Sequence, residues 1–228
     1  MKGNDLNPTR IIESHSQTGN RTLDERSVQQ IRGSDGHLEP YQDIERQTLQ
    51  VDATTMRTTI RMFGRDLNGR KTLVQVTEEE DHALPGGDSN VTRITSNPDV
   101  DGKLQPVQRD IVETKRVSTD VEETKTTVML LNGNGGLTPV VKTHELRKRS
   151  ANNTIESQKT TLLLDGAGNW QVNEVRQATT RQEGTNRTTD ERVSRLDSEG
   201  KLGEISCVVN KESESSSGEK RNVVETYS

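Results

Sequence analysis

A glycine-ended turn recurs through this sequence at a nearly constant spacing, and that spacing constrains the fold more than any other feature. The tetrad Asp66-Leu67-Asn68-Gly69 has counterparts at Ser34-Asp35-Gly36, Asp99-Val100-Asp101-Gly102, Asn132-Gly133-Asn134-Gly135, Asp165-Gly166-Ala167-Gly168 and Asp197-Ser198-Glu199-Gly200. The terminal glycines follow one another at 33, 33, 33, 33 and 32 residues, and Gly3 lies 33 residues before Gly36. A fixed period of this length means that one supersecondary unit is stacked on copies of itself. The units run 3–35, 36–68, 69–101, 102–134, 135–167, 168–199 and 200–228, as one array over residues 1–228.

Turn chemistry assigns the repeated residues their parts. An Asp or Asn early in the tetrad bonds the backbone beyond it, and the last glycine takes the positive φ that closes a type I turn with a bulge. Gly36, Asp66, Asn68, Gly69, Asp99, Asp101, Gly102, Asn132, Gly135, Asp165, Gly168 and Gly200 are therefore read as structural turn residues. A shared pattern follows, as in Gly102-Lys103-Leu104-Gln105-Pro106-Val107 and Gly135-Gly136-Leu137-Thr138-Pro139-Val140. The proline has no N–H to donate, so it belongs at a strand mouth or on a non-bonded side. A second turn falls near mid-unit, at Gly19-Asn20, Pro85-Gly86-Gly87-Asp88, Ala151-Asn152-Asn153 and Gly184-Thr185-Asn186. Two turns half a period apart leave two strands of about 11–13 residues, or ~40 Å each.

Each unit is thus predicted to be a β-hairpin. The fold class is all-β: an extended antiparallel meander of seven hairpin repeats, a twisted single-layer sheet that coils as a superhelical ribbon or spiral. Helix is disfavoured by the 28 threonines, many paired as in Thr58-Thr59, Thr126-Thr127 and Thr160-Thr161. Both terminal strands of such a sheet expose pairing groups, which predicts self-association through the edges.

Composition explains why the sheet is expected to be thin. Only 26% of residues are hydrophobic, with one Phe, one Trp and two Tyr. Leu, Ile, Val and Phe make up 47 of 228 residues, near the level at which a charged chain stays unfolded. Cross-strand Thr–Thr and Arg–Glu pairs in register must hold what a core cannot.

The same inventory excludes several functions. Lys and Arg number 31 against 36 Asp and Glu, a net charge of -5 with the signs interspersed, so no nucleic-acid surface is expected. No apolar run approaches the ~20 residues of a membrane span. Cys207 is alone, and His15, His37, His82 and His144 show no ligand spacing, so neither a disulfide nor a zinc site is expected. The Asp-x-Asn-Gly turns lack the spaced ligands of a calcium loop. Gly133, Gly135 and Gly136 precede a strand, whereas a phosphate loop precedes a helix. No cofactor and no enzymatic activity are expected. Four Asn-x-Thr acceptor patterns, at Asn20, Asn90, Asn152 and Asn186, lie at or near mid-unit turns. Tyr41 and Trp170 are the candidate binding residues, as aromatics that a sheet face could present to a protein or glycan.

The tetrad followed by an apolar residue, as in Asp101-Gly102-Lys103-Leu104 and Glu199-Gly200-Lys201-Leu202, resembles the turn of tyrosine-aspartate repeats in Rhs-type bacterial surface and toxin-shell proteins. It also resembles uncharacterised bacterial secreted or surface proteins built of hairpin repeats. The likeness covers the turn and the next few residues; the unit here is longer and the Tyr-Asp pair is missing. It implies an extracellular or cell-surface location and a wound sheet. The sequence shows no signal peptide, and it opens and closes as an internal piece of a longer protein would. The functional expectation is a stalk, fibre or matrix segment. Its rivals are a binding scaffold that presents one sheet face, and a largely disordered protective chain.

Overall fold

The protein is described from a computed structural model covering residues 10–17, 21–32, 36–65, 69–150, 152–197, 199–214 and 220–227. Strands β1 (Arg10–Gln17), β2 (Thr22–Arg32), β3 (Leu38–Gln50), β4 (Thr55–Arg65) and β5 (Lys71–Ala83) come first. A single 3-10 turn, Pro85–Gly87, leads into β6 (Ser89–Pro98), β7 (Leu104–Arg116), β8 (Val121–Leu131) and β9 (Leu137–Ser150). Then follow β10 (Thr154–Leu164), β11 (Trp170–Glu183), β12 (Asn186–Leu196), β13 (Leu202–Glu214) and β14 (Lys220–Tyr227). All fourteen belong to one antiparallel sheet in strict chain order, and among the described residues β1 and β14 are not paired with each other.

The chain forms two units, one of residues 1–84, 90–110 and 130–137, the other of 85–89, 111–129 and 138–228. In the first, β1 to β5 pair as successive hairpins. In the second, β9 to β14 do the same. Strand identity follows from composition, because Thr, Val, Ile and long polar side chains suit a pleated surface wetted on both sides. Threonine hydroxyls meet across strands at Thr48–Thr58 (3.2 Å), Thr77–Thr95 (3.4 Å), Thr114–Thr124 (3.4 Å) and Thr180–Thr189 (3.1 Å).

Register is set at the corners. The residue thirteen places before a corner glycine faces the residue twelve places after it. This holds for Leu23 and Thr48 about Gly36, Met56 and Asp81 about Gly69, Ile155 and Thr180 about Gly168, and Arg187 and Glu212 about Gly200. Nearer the corner the register slips by one at Gln29/Gln30, Met62/Phe63, Thr161/Leu162 and Val193/Ser194. The unpaired extra residue is Tyr41, Val74, Asn173 or Ile205, always five places after the glycine. A β-bulge thus recurs with the repeat. In β3 it sits beside Pro40, where the ladder is already interrupted and a missing N–H leaves little unmet.

Little apolar surface is hidden. The accessible surface is 16148 Å², whereas a globular monomer of this mass exposes about 10,000 Å². Among the described residues the buried hydrophobic side chains are Val76 and Val193, at 6% and 5% exposure. Both lie just past a bulge, Val76 seven places after Gly69 and Val193 seven before Gly200. The leucines of the corner pattern do not form a core: Leu38, Leu104 and Leu202 stay exposed. The deepest side chain is a carboxylate, Asp43, at 1% exposure.

Candidate functional site

Four described corners share one hydrogen-bond scheme. In the corner after β6, Asp99 Oδ1 accepts from the backbone N–H groups of Asp101 and Lys103, both at 2.9 Å. Gly102 N–H donates to the Asp99 carbonyl (3.0 Å), and Asp99 N–H donates to the Lys103 carbonyl (2.9 Å). Asn132 repeats this with Asn134 and Gly136 (2.9 and 3.0 Å), Asp165 with Ala167 and Asn169 (2.9 and 2.8 Å), and Asp197 with Glu199 and Lys201 (2.9 and 2.8 Å). Gly36, Gly69, Gly102, Gly135, Gly168 and Gly200 all hold φ between 74° and 85°, in the left-handed region that glycine occupies without a Cβ penalty. Asp101 stands one place before its glycine and lends the turn its backbone N–H. Asp66 and Asn68 lie outside the described residues, as do the mid-unit turn residues Gly19, Asn20 and Ala151. The Lys103 amide in the first case, and the Asn169 amide in the second, hold the Asp99 and Asp165 carboxyls below the usual carboxylate range.

Beyond the bulges, ionised side chains are drawn together from neighbouring strands. Asp43 on β3 accepts from Arg26 on β2 (3.0 Å) and from Arg65 on β4 (3.4 Å), and it faces Lys71 of β5 at 3.3 Å. Lys71 also donates to Glu45 (2.6 Å), and its ammonium stands 3.9 Å over the centre of the Phe63 ring. Burial alone pushes the Asp43 carboxyl up, but bonds from Arg26 and Lys71 and the charge of Arg65 outweigh it, and the net shift is downward. One carboxylate therefore ties four consecutive strands.

In the second unit Glu174 on β11 ties two strands. It accepts from Arg176 on its own strand (2.5 Å) and from Arg195 on β12 (2.8 Å), and Arg176 reaches on to Glu191 (3.1 Å). Arg176, ahead of the opposing cost of burial, holds the Glu174 carboxyl low, with Arg195 adding to it. Arg93 chelates Glu79 (2.8 and 2.5 Å), and Arg57 chelates Glu80 (3.2 and 2.6 Å).

The histidines enter the same ladders. His15 meets Glu25 (3.1 Å), His82 meets Glu80 (2.7 Å), and His144 meets Glu123 (2.7 Å). Among the described residues, every carboxyl with a shift of its own, Asp43, Asp52, Glu80, Asp99, Glu123, Asp165, Glu174 and Glu225, is shifted downward. Such groups stay ionised at neutral pH. Among the described residues, no three His, Cys, Asp or Glu side chains gather closely enough to hold a metal ion.

The two candidate binding aromatics lie in different units. Tyr41 is the bulged residue of β3; its hydroxyl donates to Gln29 Oε1 at 2.6 Å, and it lines a shallow depression with Ile31, Pro40 and Arg65. Trp170 opens β11, half-buried, with the Lys142 ammonium 4.4 Å from the ring centre. A broader concavity of about 590 Å³ holds Cys207 among Lys148, Arg181, Asp190 and Arg192. Sequence reasoning missed the carboxylate clusters. Asp43 reads as one more polar strand residue until its neighbours on β2, β4 and β5 are known.

These features define an antiparallel β-meander of hairpins, cornered by glycine turns and stapled by ion clusters. The sequence matches no protein-family model and no curated protein. Among solved structures, a protein of unknown function from Bacteroides fragilis aligns over 73% of this chain and 91% of its own, at 12% identity and a TM-score of 0.37. A porin-like protein from Bacteroides uniformis aligns over 96% of this chain and 95% of its own, at 8% identity and a TM-score of 0.19. At these scores neither likeness carries an argument about this chain. Among the described residues no helix is long and apolar enough to cross a membrane.

Proposed function

We propose that this chain is a non-enzymatic structural repeat protein, a stalk, fibre or matrix segment at the cell surface or outside the cell. The observation that carries the reading is the contact pattern: strands pair in chain order, and among the described residues the Asp43 and Glu174 clusters join neighbouring hairpins. A chain whose strands pair in sequence order lengthens by adding units. The carboxylates, held ionised by arginine and lysine, serve as cross-strand ties. Self-association through the open strand edges belongs to the same reading. Antibodies against the chain, applied to producing cells, test it. Labelling of intact cells is expected, and labelling confined to permeabilised cells would refute the surface role.

A second reading, a scaffold that offers one sheet face to a protein or glycan partner, is favoured by Tyr41. It remains 39% exposed at the rim of its depression, although its hydroxyl is already engaged.

A further inference from the structure

β1 and β14 each have one neighbour in the sheet, and their outer edges match. The most exposed large apolar side chains within any described strand are Val224 on β14, at 59%, and Ile11 on β1, at 58%; Tyr227 and Ile12 on the same two strands are also exposed. We propose that the outer edge of β14 pairs antiparallel with β1 of a second copy of this chain, in the register of the internal corners. The inference deepens the fibre reading and rests on it.

The register is fixed by the repeat. At the mid-unit turns of the 33-residue units, the residue fourteen places after the glycine faces the one twenty places after it: Gln17 and Leu23, Gln50 and Met56, Arg149 and Ile155. The one 32-residue unit differs, with Gln182 facing Arg187. The last unit has the 33-residue geometry, since Glu214 faces Lys220, fourteen and twenty places after Gly200. The strand after β14 in such an array therefore begins a full 33-residue period after Gly200, as β1 begins after Gly3.

The corner rule, thirteen before facing twelve after, then sets Lys220 opposite His15 and carries the pairing along both strands. Val223 comes opposite Ile12 and Val224 opposite Ile11, while Asn222 meets Glu13 and Glu225 meets Arg10. Exposed Ile11 and Ile12 thus come opposite exposed Val224 and half-buried Val223, one pair on each face. Such pairs are the stabilising unit of a sheet. A shift by one residue would leave one apolar pair, Val224 with Ile12 or Val223 with Ile11, in place of two. Because the two surfaces differ, the contact is head to tail and each added copy presents a fresh β14 edge.

Two singly blocked chains test the pairing, Ile11→Lys at the β1 edge and Val224→Lys at the β14 edge, each checked for an unchanged sheet signal by circular dichroism. Sedimentation should show the unaltered chain growing in mass with concentration, each variant monomeric, and their equimolar mixture forming a heterodimer and nothing larger. If the unaltered chain stays monomeric at all concentrations, or if either variant dimerises with itself, the contact is overturned. Should a lysine unfold its strand, the chain carrying Ile11→Cys, Val224→Cys and Cys207→Ser is oxidised in air instead. It should form a ladder of disulfide-linked multimers, whereas the same chain with Ile12→Cys in place of Ile11→Cys should not; equal ladders overturn the register. A chain that stays monomeric in solution yet labels intact cells loses this contact and keeps the structural reading. A chain that assembles but labels only permeabilised cells keeps the contact and loses the surface role.

Discussion

The corner Asp165-Gly166-Ala167-Gly168 contains two glycines whose replacement by alanine should shift stability in opposite directions. Gly168 holds φ at 85°, and a Cβ built there meets nothing within 4 Å. Gly168→Ala therefore meets no clash, and its whole cost is that of forcing an L-residue into the left-handed region, about 1–2 kcal/mol. Gly166 lies outside that region, and its Cβ also points into open space. Gly166→Ala restricts the unfolded chain and stabilises by about 0.4–1 kcal/mol. The gap between the two variants is then about 1.4–3 kcal/mol, tenfold or more in the local unfolding constant. Trp170, the sole tryptophan, sits two residues beyond the corner with Lys142 across its ring, so its fluorescence follows this corner. That local reporter matters, because stability in a repeat array is a sum of unit and interface contributions. In a urea titration the Trp170 midpoint should fall for Gly168→Ala and rise or hold for Gly166→Ala. Equal midpoints, or the reverse order, would refute the assignment of the turn.

Three other outcomes follow from the clusters and corners. Asp43 has a folded-state pKa below its ordinary value, so its stabilisation is present above about pH 4 and is lost as pH falls through the depressed value. Acid titration by circular dichroism should show the parent losing stability below that point and Asp43→Asn, already weaker at neutral pH, losing less; identical acid slopes would contradict this. Glu174→Gln leaves Arg176 and Arg195 without their shared charge and should cost about 1–3 kcal/mol, toward the lower end because both guanidiniums are half exposed; the Trp170 urea midpoint measures it. Asp99→Ala removes the acceptor of two backbone N–H groups, so the Asp101 and Lys103 amides should exchange faster with solvent while the amides of the corner at Asp165 do not change.

Strand order and register could be read from the sequence because both follow from short-range chemistry repeated at a fixed phase. A turn such as Asn132–Gly136 is closed by its own side chain and its own glycine, whatever lies elsewhere. Once the turns recur every 33 residues, neighbouring strands have one pairing that keeps them aligned. The bulge five places after each glycine and the burial of Asp43 have no such local signature. Whether Tyr41 is an extra residue in β3 depends on how far β2 runs beside it, and one slipped pair decides that. Asp43 is buried because Arg26, Arg65 and Lys71 arrive from three other strands and close over it. Trp170 reads from the sequence as an aromatic that a sheet face could present, and Lys142, two strands earlier, lies across it. Local hydrogen bonds fixed where this chain turns; the meeting of separate strands decided which side chains are covered and which charges are shared.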